Sequence, residues 1–340
     1  MPAEVPVTLS IPLPHPRRRA AVRATAALGL LAAFAPAIVS AAEVWPSRPI
    51  TIVVPFPAGG GTDMAIRGIQ PQLQKELGQP IVIDNRGGAG GTIGSAFVAK
   101  AAPDGYTAVL ATTSTHAVSV SVYPRLPYDP LRDFVYAGFI GTSPYVLATN
   151  PAVAGTDVKS LIATLRQNPQ QYSFASVGAG TVSHLLGEQF KSYAGLPLVH
   201  VPYRGAAPAY TDLMGGQVQL MFDNPAGLVP YIRSGKLTAV ATTAPNALLA
   251  GVPTFQQQGI PNFTQSLWYG VAFPKGTPAP VVERFNLALN KVLGDRAVAA
   301  DFAAKGINAR PGTPAELKAA VAADIPYWGR IAKAVGATID

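Results

Sequence analysis

Two glycine-rich turns constrain the fold of this chain more than any other feature, because each stands between an apolar run and a helix-like segment. The first turn spans residues 55–63 and follows the β-branched run 50–54; the second spans residues 85–94 and follows the run 81–83. Short β-branched runs bounded by Pro or Gly are typical of buried parallel strands. The sequence therefore predicts two successive βα units, with the first helix over residues 63–77.

The first turn is predicted to bind an anion. A loop that leaves a parallel strand presents unpaired backbone N–H groups at the positive end of the next helix, and glycine lets a ligand approach the backbone closely. Residues 58–61 contain no Lys or Arg, so we expect the backbone to hold a carboxylate or phosphate. On this interpretation Gly60→Val abolishes binding by crowding the loop and forbidding a positive φ, whereas Arg86→Ala weakens it less than about tenfold.

The remainder of the chain continues the alternation of strand and helix signals. Strands are predicted over residues 107–110, 145–149, 172–175, 198–201, 218–222 and 267–273, and helices over residues 159–167, from 183 onward, 206–214, 281–293 and 314–333. Polar loops follow several strands, among them residues 112–116 and 176–181. A single hydrophobic core rarely grows beyond roughly 250 residues, so we predict two α/β lobes that hinge near Thr149 and Leu267.

The N-terminal residues are typical of a secretory signal peptide over residues 1–42. Four Arg within residues 17–23 precede the apolar stretch 24–39 and the small residues 40–42. A membrane anchor is the alternative, but the stretch is short and rich in Ala. Removing residues 1–42 lowers the net charge from +8 to +5, which is 22 basic minus 17 acidic residues. We therefore expect a periplasmic location for the mature chain.

The composition and motifs of the chain argue against several other functions. The chain has no Cys, hence no disulfide framework and no lipid-modified cysteine, and its scattered Lys and Arg argue against nucleic-acid binding. Neither turn completes Gly-x-Gly-x-x-Gly, and no P-loop or Gly-x-Ser-x-Gly elbow is present. Ser114, Ser176 and Ser183 lie in loops near histidines, and the histidines have no helical i, i+4 spacing among themselves. We predict no catalytic residue, no metal and no cofactor.

Several side chains close to the loops have two interpretations each. Asp63 either complements the dipole at the helix start or receives a ligand ammonium group. Asp223 ends an apolar strand and meets either a ligand or a loop. Arg86 and Arg204 either pair with a ligand carboxylate or remain exposed, and His200, inside an apolar strand, is predicted to be a core residue.

These motifs resemble the Bug family, also called TctC-like, of extracytoplasmic solute receptors of tripartite tricarboxylate transporters. The resemblance covers essentially the whole mature chain. It is carried by residues 45–50, 55–63, 85–94, 102–107, 126–130, 176–181, 201–205, 215–218, 221–223 and 252–254. This combination of motifs is specific to the family but not to a ligand.

The resemblance implies a type II periplasmic-binding-protein fold, an α/β architecture of two lobes with a ligand cleft between them. Lobe 1 then comprises residues 44–149 and 268–340, and lobe 2 comprises residues 150–267. It also implies a monomer that captures a small carboxylated organic anion and delivers it to the membrane permease subunits of the transporter. Two alternatives stay open: a receptor that signals to a sensor protein, and a periplasmic hydrolase or isomerase.

The resemblance further implies which residues form the cleft. The first-lobe wall is expected to contain Phe56, Ala58, Gly59, Gly60, Thr62 and Asp63. The second-lobe wall is expected to contain Ser176, Gly178, Gly180, Thr181 and His184, together with Tyr203 and Asp223. Two residues depart from the family pattern: Arg204 stands where Lys is common, and Gly88 stands where Pro is frequent.

Overall fold

Two β-sheets organise the part of the chain that the computed structural model describes, namely residues 3–4, 6, 8–10 and 45–339. Residues 45–339 belong to one compact unit. The predicted signal peptide over residues 1–42 lies almost entirely outside the described residues. Within the described ranges, none of the helices combines the length and the hydropathy that a membrane span requires.

The first sheet contains β1 (Ile50–Val54), β2 (Ile81–Asn85), β3 (Thr107–Thr112), β4 (Phe134–Pro144), β10 (Ser266–Pro274) and β11 (Asn308–Ala309). Its strand order is β11-β4-β10-β3-β1-β2. The second sheet contains β5 (Val146–Thr149), β6 (Ser173–Ser176), β7 (Val199–Pro202), β8 (Leu220–Asp223) and β9 (Thr238–Thr242). Its strand order is β7-β6-β8-β5-β9. The predicted α/β class is confirmed.

The α-helices connect these strands and cover the sheets. They are α1 (Gly61–Leu77), α2 (Thr92–Ala99), α3 (Ser119–Val122), α4 (Val158–Gln167), α5 (Val182–Ala194), α6 (Ala206–Met214), α7 (Pro225–Arg233), α8 (Ala279–Leu293), α9 (Arg296–Ala303) and α10 (Pro314–Val335). Short 3₁₀ turns occur at Ala89–Gly91, Pro169–Gln171 and Ala247–Leu249.

The first helix, α1, shows how the apolar spacing of the sequence produces packing. Ile66, Ile69, Leu73 and Leu77 recur three or four residues apart and are all buried. This spacing places their side chains on one helix face. The helix ends at Gly78, which adopts a left-handed φ of 74° and donates its N–H to the Gln74 carbonyl.

The segments that follow the three parallel strands of the first sheet lie together at one edge of that sheet. β1 lies between β2 and β3 and is parallel to both. The carboxyl ends of parallel strands meet at the same sheet edge, so α1, the Ala89–Gly91 turn and the segment after β3 start side by side. The two predicted βα units are confirmed.

The predicted polar loop over residues 112–116 is wrong. Thr112 completes β3, and Ser114–Val118 form a buried π-helical turn. The polar side chains can be buried here because they form hydrogen bonds with the local backbone. Thr115 Oγ1 accepts a hydrogen bond from the Thr112 N–H at 3.2 Å, and Thr112 Oγ1 accepts one from the Thr115 N–H at 3.3 Å. Local hydrogen bonds thus replace the solvent that a loop would require.

The chain passes from the first sheet to the second at Tyr145, which separates β4 from β5. β4 and β10 are antiparallel neighbours that place Pro144 opposite Ser266, so the outgoing and returning crossings lie side by side. Thr149, predicted to lie near a hinge, is inside a strand of the second sheet, and Leu267 lies just after the returning crossing. The lobe boundaries at residues 149 and 267 remain predictions.

Candidate ligand-binding cleft

A cavity with an open mouth lies between the two sheets. From the first lobe it is lined by Phe56, Gly60, Gly61, Thr62, Thr112 and Ser114, and from the second lobe by Val177, Gly205, Ala206, Asp223 and Asn224. Tyr145 and Leu267, at the two crossings, complete the lining with Pro57. A wider outer space shares Phe56, Pro57, Val177 and Gly205 with this cavity and leads to solvent.

Two helices from different lobes begin at this cavity. α1 has Gly60 as its N-cap, and α6 has Gly205 as its N-cap, so neither start receives a capping hydrogen bond from a side chain of a described residue. The first N–H groups of a helix have no partner within the helix and carry a partial positive charge. We call residues 60–62 and 205–206 the paired helix starts.

The three consecutive glycines at the start of α1 have different roles, and the expectation of a positive φ at Gly60 is wrong. Gly60 has φ −84°, and a Cβ on it would lie 3.6 Å from the Ala206 Cβ, an ordinary contact. Gly59 is the residue with a positive φ, +86°. Gly61 is the tight position, because a Cβ there would overlap the Asn224 side chain of the opposite lobe.

Asp223 ends β8 and places a buried carboxylate at the cavity. Its Oδ2 accepts a hydrogen bond from the Tyr210 hydroxyl at 2.6 Å, and its Oδ1 accepts from the Asn224 backbone N–H at 2.8 Å. Burial raises the pKa of Asp223 to about 6, although the hydrogen bonds from Tyr210 and Asn224 act in the opposite direction. The carboxylate is therefore mostly ionised at neutral pH, and its charge is sensitive to its surroundings.

Asn224 follows Asp223 directly and supplies a second acceptor. Its Nδ2 donates to Asp223 Oδ1 at 2.8 Å, which fixes the orientation of the amide because an ionised carboxylate accepts only from a donor nitrogen. Its Oδ1 is buried and has no hydrogen-bond partner among the described residues. We call Asp223 and Asn224 the acceptor pair.

The two lobes touch around the cavity. The Tyr123 hydroxyl of the first lobe donates to the Ala179 carbonyl of the second at 3.0 Å, and the Val182 N–H donates to Ser114 Oγ at 3.1 Å. Tyr123 also packs so closely on Gly180 that a side chain there would overlap its ring. The structure is therefore that of a closed cleft.

Asp63 belongs to a first-lobe network rather than to the cavity lining. Its Oδ2 accepts from Arg67 Nε at 2.8 Å and from the Gly59 N–H at 3.1 Å, and its Oδ1 accepts from Asn85 Nδ2 at 3.0 Å. Burial alone would raise the pKa of Asp63, but these hydrogen bonds outweigh it and the pKa is lowered. The network holds the glycine turn against α1.

The structure divides the predicted site residues into three groups. The inner cavity is lined by Phe56, Gly60, Thr62 and Asp223. The outer space is lined by Gly178 and Tyr203, together with the exposed Arg204. Outside both linings lie Ala58, Gly59, Asp63, Ser176, Gly180, Thr181 and His184. Thr181 instead caps α5, accepting a hydrogen bond from the His184 N–H.

His184 and His200 form a stacked pair beside the cleft, with ring centroids 4.0 Å apart. With Glu188 they offer potential metal-ligating atoms within 4.8 Å of one another. Hydrogen bonds and ion pairs already engage these side chains: His184 Nδ1 accepts from the Gly180 N–H, and His200 Nε2 is 2.7 Å from Ser176 Oγ. Glu188 pairs with Lys191 at 3.3 Å through one carboxylate oxygen and lies 3.9 Å from His184 Nε2 through the other. Burial lowers the pKa of His184 to about 4 and of His200 to about 3, so both rings are neutral.

Several residues that line the cavity are not predicted from the sequence. Gly61 is one of three adjacent glycines, and nothing local distinguishes it from its neighbours. Tyr145 and Asn224 are placed at the cavity only by the crossing between the sheets and by contact with the opposite lobe. The one available signal for Asn224 is its position directly after Asp223 at the end of an apolar strand.

Two α/β lobes joined by adjacent crossings and closed over a cavity lined by both polar and apolar residues define a solute-binding protein of the periplasmic type. Residues 65–337 match the family model of the tripartite tricarboxylate transporter family receptor, TctC. The chain is 38% identical to protein BugT of Bordetella pertussis over 301 residues, which cover 88% of this chain and 92% of that protein. The chain belongs to this receptor family, and the predicted family is confirmed.

Solved structures agree with this assignment. The periplasmic binding protein BugD matches with a TM-score of 0.83 at 34% identity, covering 86% of this chain and 99% of that one. MatC from Rhodopseudomonas palustris with bound malate matches with a TM-score of 0.81 at 32% identity, covering 84% and 99%. An R. palustris protein with adipate matches with a TM-score of 0.84 at 34% identity, covering 87% and 100%. The predicted periplasmic-binding-protein fold is confirmed.

Proposed function

We propose that the cleft captures a small organic solute by holding its carboxylate between the paired helix starts. The observation that carries this proposal is that α1 and α6 both begin at the cavity with a glycine N-cap, one from each lobe. Unpaired N–H groups and two positive dipole ends suit an anion without any cationic side chain. The bound malate and adipate of two related structures support the same ligand chemistry.

Ligand charge is also the proposed cause of closure. Gly60 and Ala206 lie close enough for a Cβ on one to touch the other, so two helix ends of like partial charge approach each other in the closed cleft. An anion between them turns this repulsion into attraction. The ligand therefore favours the closed state through its differential affinity for the two states.

The delivery step follows from the family. We expect the signal peptide to be removed, the mature monomer to circulate in the periplasm, and the loaded receptor to dock on permease subunits of a tripartite tricarboxylate transporter. N-terminal sequencing of protein released from the periplasm should give a start near residue 43. Recovery of uncleaved protein in washed membranes would contradict export in soluble form.

The hydrogen bonds of the serines near the cavity agree better with a receptor than with a serine hydrolase. Ser183 Oγ donates to the Phe222 carbonyl at 2.5 Å, and Ser176, bonded to His200, is fully buried. Within residues 45–339, the serine that lines the inner cavity is Ser114, whose hydroxyl accepts the Val182 N–H. The residues that line the cavity include no histidine.

The test is a binding screen in which each small carboxylate is paired with the primary amide of the same carbon skeleton. At 100 times its dissociation constant, a ligand that binds only the folded state adds roughly 2.7 kcal/mol of stability, which a thermal-shift assay detects readily. We expect shifts from carboxylates and none from the matched amides. Amides that bind as well as their acids would disprove a site built for anions.

Small-angle scattering tests the closure step with the same ligands. We expect the radius of gyration to fall when a carboxylate found in the screen is added at saturation, because closure brings the lobes together. An unchanged radius of gyration at saturation would show that binding does not proceed through hinged closure.

A further inference from the structure

The acceptor pair raises a question that the paired helix starts do not answer: which ligand group faces Asp223 and Asn224. Both residues line the inner cavity and are buried, and Asn224 Oδ1 lies against Gly61 of the first helix start. Two of the hydrogen bonds to the Asp223 carboxylate come from Asn224 itself and one from Tyr210, which leaves acceptor capacity on Oδ2. Asn224 Oδ1 has no partner in the described chain.

Nothing in the inner lining would balance a second negative charge. Among the described residues that line it, none is Lys, Arg or His. The titratable groups facing Asp223 are the phenols of Tyr145, Tyr210 and Tyr269, from the crossing, α6 and β10. Burial raises the pKa of each phenol well above its usual range, so all three are neutral between pH 5 and 8. Asp223 is thus the group that titrates there.

We infer that the cleft selects aminocarboxylates over dicarboxylates: the ligand carboxylate lies at the paired helix starts and its ammonium group donates to Asp223 and Asn224. This inference rests on the proposed function and adds the chemistry of the second ligand group. An ammonium group supplies three donors and a positive charge, which satisfies both acceptors at once. A carboxylate in the same place would meet an ionised carboxylate and an unpaired carbonyl oxygen, two groups that repel it.

One competing arrangement leads to the opposite result. If Asp223 were protonated in the complex, its hydroxyl would donate to a second ligand carboxylate, as in paired carboxyl groups that share one proton. Binding of a dicarboxylate would then take up a proton and strengthen as the pH falls. Binding of an aminocarboxylate stabilises the ionised form instead and weakens as the pH falls.

Three matched pairs of probes distinguish these arrangements by calorimetry at pH 7.5. They are 3-aminopropanoate with succinate, 4-aminobutanoate with glutarate, and 5-aminopentanoate with adipate, in which an ammonium group replaces one carboxylate on the same methylene chain. For the chain length that binds best, we expect the aminocarboxylate to bind at least tenfold more tightly, about 1.4 kcal/mol. Equal affinities, or tighter binding of the dicarboxylate, would overturn the inference and leave the carboxylate receptor intact. Failure of every probe to bind would contradict the proposed function itself.

The pH dependence is the second measurement. Between pH 7.5 and 5.5 the favoured aminocarboxylate should lose about fourfold in affinity, because Asp223 becomes largely protonated in the free protein. The probe itself stays zwitterionic over this range. Affinity that rises as the pH falls would support the shared-proton arrangement and overturn ours.

Two variants assign the effect to Asp223. Asp223→Asn removes the charge at nearly constant shape, so the preference for the ammonium probe should fall at least tenfold and the pH dependence should disappear. Tyr210→Phe is the second variant, because Tyr210 bonds Asp223 without lining the cavity. It frees Asp223 Oδ2 but removes a hydrogen bond that lowers the Asp223 pKa. Measured at pH 8, where Asp223 stays mostly ionised, the preference should therefore be kept or increased, and this holds even if Asp223→Asn does not fold. If the preference for the aminocarboxylate is unchanged in Asp223→Asn, or is lost in Tyr210→Phe, a group other than Asp223 binds the ammonium end of the ligand.

Discussion

The paired helix starts and the acceptor pair line the same cavity, but the first consists of backbone groups and the second of side chains. The helix starts present backbone N–H groups beside glycine and carry no titratable side chain at the cavity. The acceptor pair presents side-chain oxygens, one of them on a carboxylate whose pKa is raised by burial. A backbone site depends on geometry and tolerates changes of pH, whereas a side-chain site depends on charge and responds to pH. Variants can therefore separate the two regions.

The largest effect is expected from Gly61→Ala, which acts on geometry alone. The new methyl group would occupy the space of the Asn224 side chain, so the lobes cannot reach the closed contact, and we expect ligand binding to be lost. Gly60→Ala is the matched control, since its methyl meets Ala206 at an ordinary 3.6 Å, and it should cost less than about tenfold in affinity. Calorimetry with one confirmed ligand measures both. Normal binding by Gly61→Ala would show that this approach of the lobes is unnecessary.

The second-largest effect is expected at Asp223 of the acceptor pair, in the pH dependence of the unfolding free energy measured without ligand. The folded-state pKa of Asp223 is raised from 3.8 to about 6, so the folded protein binds this proton more tightly than the unfolded chain does. The resulting stability is present at low pH and is lost as the pH rises from about 4 to about 6. Between pH 4.5 and 7.5, wild type should lose roughly 2 kcal/mol of unfolding free energy relative to Asp223→Asn.

Urea unfolding of both proteins at several pH values checks this difference. The buried His116 and His184 and the half-buried His200 titrate with the opposite sign, because burial lowers their pKa values and stability falls as they become protonated. Their contribution is common to both proteins and cancels in the comparison. A difference that does not vary with pH would show that Asp223 is not perturbed by burial.

A smaller effect is expected from Tyr123→Phe, which removes one hydrogen bond between the lobes. In the closed cleft the Tyr123 hydroxyl donates to the Ala179 carbonyl of the opposite lobe. If opening breaks this bond, its loss should weaken ligand binding by about 1 kcal/mol, or roughly fivefold. Tyr136→Phe is the control, since the Tyr136 hydroxyl bonds the Pro130 carbonyl within the first lobe. That variant should lower stability and leave affinity unchanged. Equal affinity losses in the two variants would indicate a general loss of stability rather than a role in closure.

The smallest effect is expected from Arg86→Ala. Arg86 Nε pairs with Asp84 at 2.6 Å and its guanidinium group stacks 3.7 Å from the Phe97 ring centroid, on the outside of the first lobe. Exposed ion pairs contribute little, about 0–1 kcal/mol, and this one faces away from the cavity lining. Affinity should change by less than about twofold. Complete loss of binding would mean that the site depends on an ion pair rather than on backbone donors.

Sequence patterns predict the parallel part of the first sheet well, because its strands are short, β-branched and bounded by Pro or Gly. β1 coincides with the predicted run 50–54, and α1 begins two residues before the predicted helix over residues 63–77. The long strand β4 is missed because its glycines and polar residues dilute the apolar pattern, and tertiary pairing with β10 supplies what local propensity lacks.

The site is harder to predict than the fold because much of it is made by contact between lobes. Sequence patterns single out the first glycine turn, yet they cannot show that Gly61 faces Asn224 or that Gly59 has the positive φ. His184 is predicted to face the ligand, whereas the structure stacks it on His200. The assignment of the predicted residues to ligand binding stays a prediction, which the variants above test.

The adjacent crossings have a consequence for how this molecule can be taken apart. Because Pro144 and Ser266 face each other across two antiparallel strands, the second sheet with its helices is topologically an insertion into a single β-hairpin of the first. Insertions whose ends lie close together are well tolerated by the host domain. A short turn that joins β4 directly to β10 would close the hairpin and remove the second sheet with its helices. The two lobes can therefore be separated, or joined again, by changing the gene at the Pro144–Ser266 crossing alone.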